Sequence, residues 1–174
     1  MEVVRTPIQG VMLIKPQIWE DERGYFVETW QEQRYREMGI DLPFVQDNHS
    51  KSTYGVLRGL HFQKKHPQGK LASVSLGSIF DVVVDLRDGS PTFGQWYGVE
   101  LTQINQWQLW IPPGLAHGFV VTSEIAHFHY KCTDYYYHND EGCIRWNDPM
   151  IAIQWPLPNP KVSAKDASAE LLHI

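Results

Sequence analysis

Short runs of β-branched, aromatic and other apolar residues recur along this chain about every 8–15 residues, and Gly, Pro, Asn or Asp separates them. The runs cover residues 10–19, 26–30, 55–63, 70–76, 79–86, 93–101, 107–111, 118–122 and 126–136, with the first two flanking a turn at 21–24. Such spacing leaves no room for a helix between successive strands. It predicts an antiparallel sandwich or barrel rather than alternating β-α units. One helix stands out at 31–38, closed by Gly39, since glycine is favoured just past a helix end. The tail from Pro156 carries three prolines and then a short helical stretch capped by Ser163 or Asp166. No repeat or linker interrupts the chain, and 174 residues suffice for one core without disulfides, so residues 1–174 are read as a single domain.

Composition narrows the function classes. Net charge is −5 with no block of Lys or Arg, which argues against nucleic-acid or anionic-membrane binding. An anionic ligand would instead need a few locally placed cations. Seven Trp and eight Tyr suit a sheet-rich fold and offer faces for a flat ligand to stack on. No apolar stretch approaches the ~18 residues of a membrane span. The first residues lack the pattern of a signal peptide, and Cys132 and Cys143 do not form a CxxC pair. The expectation is a cytoplasmic protein with reduced, structural thiols.

Three polar residues mark where chemistry could sit. The run 55–63 reads as a buried strand, yet it carries Arg58, His61 and Gln63, and burying a polar group without a partner costs about 1–3 kcal/mol. A lone histidine there would read as a hydrogen-bonded core residue. Lys70, however, follows the turn Pro67-Gln68-Gly69, and a hairpin of that kind would bring it beside His61 on the neighbouring strand. Period-two parity puts Arg58 on the opposite face from His61 unless Gly59 makes a bulge, and this tension stays open. Pro112-Pro113-Gly114 forms a tight turn that either delivers His117 to a strand mouth or merely shapes a corner. In 128–137 the alternation puts Tyr130, Cys132, Asp134 and Tyr136 on one face; Tyr135 and Tyr137 read as ordinary packing. A metal centre is disfavoured: a barrel site of this kind wants His-x-His plus a downstream Glu, whereas His61-Phe62-Gln63 offers one ligand and Lys70 would repel an ion.

Six motifs in order now resemble one family. They are Arg58-Gly59-Leu60-His61-Phe62-Gln63, Gln68-Gly69-Lys70-Leu71, the stretch 80–87, the stretch 112–119, Tyr130-Lys131-Cys132-Thr133-Asp134-Tyr135-Tyr136 and Ser163-Ala164-Lys165-Asp166. Together they resemble the dTDP-4-dehydrorhamnose 3,5-epimerases from about Thr6 to Leu172. The segment Lys64-Lys65-His66, where relatives differ in length and type, is the one visible departure.

The resemblance implies an all-β cupin-type jelly roll (a double-stranded β-helix) with a few short peripheral helices. It also implies a cofactor-free, metal-free homodimer acting on a dTDP-sugar. His61 would be the base, Asp166 its partner, Tyr130 the acid and Lys70 the group at the keto oxygen. Arg58 and His117 would surround the sugar and diphosphate, with Asp81 beside His117. Arg23, Phe26 and Glu28 would contact the nucleotide and reach into the partner subunit. Gln46, Asp47, Asn48, Glu141 and Lys165 match further ligand contacts, and Tyr136 the thymine-stacking position.

The implied chemistry inverts the two carbons flanking a ketone. Each inversion needs a proton removed from one face and supplied to the other, hence a base and an acid on opposite walls. A histidine, with its ordinary pKa of ~6.5, is neutral yet able to accept a proton near pH 7. Three rival readings remain: an epimerase acting at carbon 3 alone, a sugar-nucleotide-binding module without turnover, and a metal-dependent cupin oxygenase.

Overall fold

The structure, a computed structural model, describes residues 1–172. In chain order the elements are β1 (Glu2–Arg5), β2 (Met12–Lys15), β3 (Ile18–Asp21), β4 (Gly24–Val27), α1 (Glu32–Glu37), β5 (Gln46–Thr53), β6 (Leu57–Gln63) and β7 (Lys70–Leu76). They continue with β8 (Ser78–Asp85), β9 (Trp96–Thr102), β10 (Gln108–Ile111), β11 (Leu115–Val121), β12 (Ile125–Cys132), β13 (Glu141–Cys143) and α2 (Ala164–Ala167). A six-stranded sheet in the order β1-β2-β10-β7-β12-β5 faces a five-stranded sheet in the order β13-β6-β11-β8-β9, and β3 with β4 forms a separate hairpin. This is the cupin-type jelly roll.

Alternation along each strand decides what lies between the sheets. Leu13, Leu109, Ala72, Val74 and Phe128 project inward from one sheet and meet Ile79, Val83, Leu115, Phe119 and Val121 from the other. Each such Leu, Ile, Val or Phe side chain contributes about 1.5–3 kcal/mol by leaving water. The outer face of the six-stranded sheet carries Met12, Ile14, Leu71 and Trp110, which Tyr35 and Ile40 cover. The outer face of the other carries Leu60, Val82, Val84 and Ala116 under Ile144 and Ile151. The helix expected at 31–38 is present: the Gln31 side chain accepts from Arg34 N at 2.7 Å at its start, and Gly39 follows its end at φ +100°.

Three expectations need correction. The run 10–19 is two strands in different sheets, parted at Pro16, whose ring cannot donate to a ladder. Strands β1 and β5 were not anticipated. In β5 the polar sequence Gln46–Thr53 has little strand propensity of its own and is held by pairing with β12 along its whole length. Finally, β6 and β7 are not a hairpin. Residues 64–69 cross from one sheet to the other, so His61 and Lys70 approach across the sandwich, not along a shared ladder.

The open tension over Arg58 is resolved by a bulge. His61 pairs with His117 and Arg58 with Phe119, so Gly59 and Leu60 together oppose the single residue Gly118. The extra residue turns Arg58 to the inner face, where His61 also points. Gly59 sits at φ +132°, a region that favours glycine, and a Cβ there would lie 2.5 Å from Gly118 Cα.

Candidate active site

His61 lies in a rung that runs across the five-stranded sheet. Cys143 of β13 pairs with it on one side and His117 of β11 on the other, so all three project inward. His117 is buried and its Nε2 lies 2.7 Å from Asp81 Oδ1. Burial pushes the His117 pKa down, against the opposing pull of Asp81.

Asp166 arrives from over a hundred residues away because the tail is laced to the end of this sheet. Leu57 N donates to Lys161 O at 2.9 Å, and Arg145 N donates to Glu170 O at 2.9 Å. Between these ties Ser163 caps α2, its hydroxyl accepting from Asp166 N at 3.1 Å, so of the two expected caps Ser163 is the one used. Asp166 is thereby buried against the bulge. Its Oδ1 lies 2.7 Å from His61 Nε2, and its Oδ2 accepts from Gly59 N at 3.2 Å. Burial alone would raise this carboxyl, but the bonds from His61 and Gly59 outweigh it and hold the pKa below the usual carboxylate value.

The six-stranded sheet supplies the facing wall. Asn48, Tyr130 and Ala72 form one inward rung, and Gln46, Cys132 and Lys70 the next. Tyr130 stacks beside Phe128 with ring centroids 5.2 Å apart, and Lys70 Nζ stands 5.9 Å from the centre of the Tyr130 ring. Burial pushes the Tyr130 pKa up, while the nearby Arg58 guanidinium pulls the other way. Lys70 is only partly covered because it opens on the cavity, yet desolvation still pulls its pKa down. Arg58 Nε donates to Ser52 Oγ at 3.1 Å, which ties the first wall to the second.

These walls enclose a cavity of about 330 Å³ lined by Gln46, Asn48, His61, Lys70, Tyr130, Tyr136 and Glu141, together with Phe62, Gln63 and Gln68. At its rim Tyr136 Oη donates to Glu141 Oε2 at 3.0 Å, and Lys165 forms an ion pair with the same carboxylate. Burial would raise Glu141, but these two donors hold it low. Gln63 and Gln68 were not expected in the wall. Gln63 clamps the 135–137 turn through Tyr135 O and Tyr137 N, and Gln68 holds Asp134 O at 2.8 Å. The oddity of a glutamine in a buried strand was the signal for Gln63; Phe62 and Cys143 gave none.

Nine expected residues are not among the side chains that line this cavity within the single chain: Asp166, His117, Asp81, Arg58 and Lys165 stand behind or beside it, and Arg23, Phe26, Glu28 and Asp47 lie elsewhere. Arg23 pairs with Asp21 and Glu28 with Arg34, both on or just after the β3–β4 hairpin. Phe26 is 67% exposed there, beside Trp19 at 51%. Asp47 points to the outer face of the six-stranded sheet and pairs with Lys131 Nζ at 3.0 Å. A second cavity of about 400 Å³, lined by His49, Ser73, Ser75, His129 and Lys131 among others, lies on that outer face, away from His61.

Among the described residues, one group of ligand-type side chains has three donor atoms within 4.8 Å of one another: His61, Cys143 and Asp166. Both cysteines are free thiols. Also among the described residues, no helix is long and apolar enough to cross a membrane.

The arrangement has close counterparts. A sequence model of the family described as dTDP-4-dehydrorhamnose 3,5-epimerase matches residues 5–173. The chain is 53% identical to dTDP-4-dehydrorhamnose 3,5-epimerase of Salmonella typhimurium, over 99% of this chain and 96% of that protein. It superposes with a TM-score of 0.95 on a crystal structure of dTDP-6-deoxy-D-glucose-3,5-epimerase from Legionella pneumophila in complex with dTDP-4-keto-L-rhamnose, at 53% identity over 98% of this chain and 92% of that one. A 3'-monoepimerase from Streptomyces bikiniensis, in complex with dTDP-quinovose, shares the fold at a TM-score of 0.90 and 32% identity, over 95% and 85% of the two chains.

Proposed function

The chain belongs to the dTDP-4-dehydrorhamnose 3,5-epimerase family and is an isomerase of that family, and from this premise we propose that it inverts carbons 3 and 5 of dTDP-4-dehydro-6-deoxy-D-glucose to give dTDP-4-dehydro-L-rhamnose, within dTDP-L-rhamnose biosynthesis.

One observation carries the mechanism: His61, backed by Asp166, on one sheet, and Tyr130 with Lys70 on the other, line a single cavity from opposite sides. The bond from Asp166 to His61 Nε2 leaves Nδ1 as the atom that takes a proton from the carbon beside the ketone. Asp166 fixes that tautomer and stabilises the imidazolium that forms. The electron pair left on carbon moves onto the keto oxygen, where the Lys70 ammonium meets the growing negative charge. Tyr130 then delivers a proton to the opposite face of the same carbon. Burial keeps its hydroxyl protonated, as a donor must be. Nothing in this sequence calls for a cofactor or a metal. His117, the ladder neighbour of His61, serves the sugar and diphosphate together with Arg58, with Asp81 behind His117; Tyr136 offers a ring to the thymine, and Gln46, Asn48, Glu141 and Lys165 complete the contacts.

The β3–β4 hairpin belongs to the same reading. Its exposed Trp19 and Phe26 rings, with Arg23 and Glu28, form an arm that completes the site of a partner subunit in a homodimer. Asp47, on the outer face, belongs with that shared surface. A cytoplasmic location, with neither nucleic acid nor membrane as partner, goes with it.

Proton NMR of dTDP-4-dehydro-6-deoxy-D-glucose with the enzyme in deuterated water tests the reading by counting exchanged positions. Exchange at carbons 3 and 5 is expected; exchange at carbon 3 alone would assign the chain to the monoepimerases, and none would remove the proposal.

A further inference from the structure

Cys143 is used by none of these steps, yet it is built into their centre. Its place opposite His61 in the β6–β13 ladder points its side chain inward, and its thiol lies 3.8 Å from the Asp166 Oδ1 that also bonds His61 Nε2 at 2.7 Å. A tetrahedral zinc ion with Zn–S of ~2.3 Å and Zn–N or Zn–O of ~2.0–2.2 Å separates its donors by roughly 3.3–3.6 Å. The two observed separations bracket that range, so side-chain shifts below about 1 Å would close the three donors on one ion. Of the three donors His61 lines the cavity, which is the side from which an ion and its fourth ligand, water, would come. All three donors are held: Cys143 by its strand pairing, Asp166 by Gly59 N and the α2 cap, and His61 between two neighbouring strands.

We propose that His61, Cys143 and Asp166 form an inhibitory site for a soft divalent cation, with zinc as its type. Thiolate plus imidazole selects zinc, cobalt and cadmium over magnesium and calcium. Binding exchanges a proton for the metal: the Cys143 S–H bond breaks, its proton goes to water, and sulfur, Nε2 and Oδ1 each donate an electron pair to the ion. Burial and the Asp166 charge hold the free thiol protonated, at a pKa of about 12. That same negative charge favours a dication, while Lys165 is already engaged by Glu141. The site opposes catalysis rather than serving it. A cation on Nε2 requires the imidazole proton to sit on Nδ1, so the ring loses the lone pair with which it accepts the substrate proton. This effect on turnover rests on His61 acting as the base; the binding itself does not.

Cobalt and zinc titrations of the purified protein test it, with Cys143→Ser and Cys143→Ala as variants and magnesium as control. Cobalt is expected to give a thiolate-to-metal charge-transfer band at one equivalent in the wild type, lost in both variants and displaced by zinc. Zinc is expected to stop substrate deuterium exchange, EDTA to restore it, and magnesium to have no effect. The variants should keep the basal exchange rate and melting temperature while needing, for equal inhibition, at least the roughly ten- to a hundredfold more zinc that loss of a mere outer-shell partner costs. A folded wild type without the cobalt–thiolate band, or variants inhibited at wild-type zinc concentrations, would overturn the site. A cobalt band combined with zinc-insensitive exchange would overturn the inhibition. A protein that exchanges no substrate protons at all fails the proposed function instead, and the cobalt titration still decides the site.

Discussion

Arg58 and His61 project from the same face of β6 although their spacing of three should put them on opposite faces. The difference is one extra residue: Gly59 and Leu60 together oppose Gly118, and Gly59 adopts φ +132° to allow it. The same kink presents the Gly59 N–H to Asp166 Oδ2 at 3.2 Å. One glycine therefore both aims the guanidinium and helps fix the carboxylate behind His61.

Gly59→Ala should be severely damaging. Its Cβ would stand 2.5 Å from Gly118 Cα and 2.9 Å from His117 O, both backbone atoms that cannot swing aside. The strained φ alone costs on the order of 1–3 kcal/mol, and the clash adds to it. Urea denaturation should show an unfolding free energy lowered by at least that amount, with exchange activity lost. A variant of wild-type stability would mean that the bulge is not needed.

Asp166→Asn separates orientation from packing. Asparagine fills nearly the same volume, but it cannot stabilise the imidazolium, and its amide can donate to Nε2 and so select the wrong tautomer. Substrate deuterium exchange should slow by about 10²–10⁴-fold with little change in melting temperature. Exchange within a few-fold of wild type would show that the carboxylate does not support the base.

Much of this was legible in the sequence, and the failures share a cause. The turn-punctuated runs gave the sandwich, and the six motifs gave the family and most of the cavity wall. Strand β5 was not legible because Gln46–Thr53 is polar throughout; it is a strand only because β12 lies beside it. The supposed β6–β7 hairpin failed for a similar reason: residues 64–69 look like a turn locally, and only the packing of two sheets decides that they cross between them. The approach of Asp166 to His61 depends on backbone ties at Leu57–Lys161 and Arg145–Glu170, which no side-chain pattern encodes. Cys143 reads in the sequence only as a structural thiol, because a cysteine on a three-residue strand carries no periodic signal that would place it beside His61.

Lys70 gives a pH test with two readouts of opposite sign. Desolvation lowers its pKa below the ordinary lysine value of ~10.4, so the ammonium is lost earlier as pH rises. In the proposed mechanism that cation meets the charge on the keto oxygen, so wild-type exchange should fall as pH rises through the depressed value. Stability should move the other way: between the depressed native pKa and ~10.4 the unfolded chain binds the proton more tightly than the native state, so stability rises with pH across that interval. Lys70→Met should remove both limbs and slow exchange by about 10²–10³-fold. A variant that retains the alkaline fall in rate would assign that limb to another group.

Tyr130→Phe separates the proposed acid from the proposed base. The ring keeps its packing against Phe128, so stability should change by about 1 kcal/mol or less. His61 and Asp166 are untouched, so proton removal continues and deuterium still enters at one carbon or more. Delivery to the opposite face fails, and inversion should slow by about 10²–10⁴-fold. Because burial already pushes the tyrosine pKa upward, the alkaline limb belongs to Lys70 and should persist in Tyr130→Phe. Following both deuterium incorporation and product stereochemistry by NMR distinguishes the outcomes. Wild-type inversion would remove Tyr130 as the acid, and equal, complete loss of exchange and inversion would make it a structural residue. Only exchange without inversion fits a proton taken from one wall of the cavity and returned from the other.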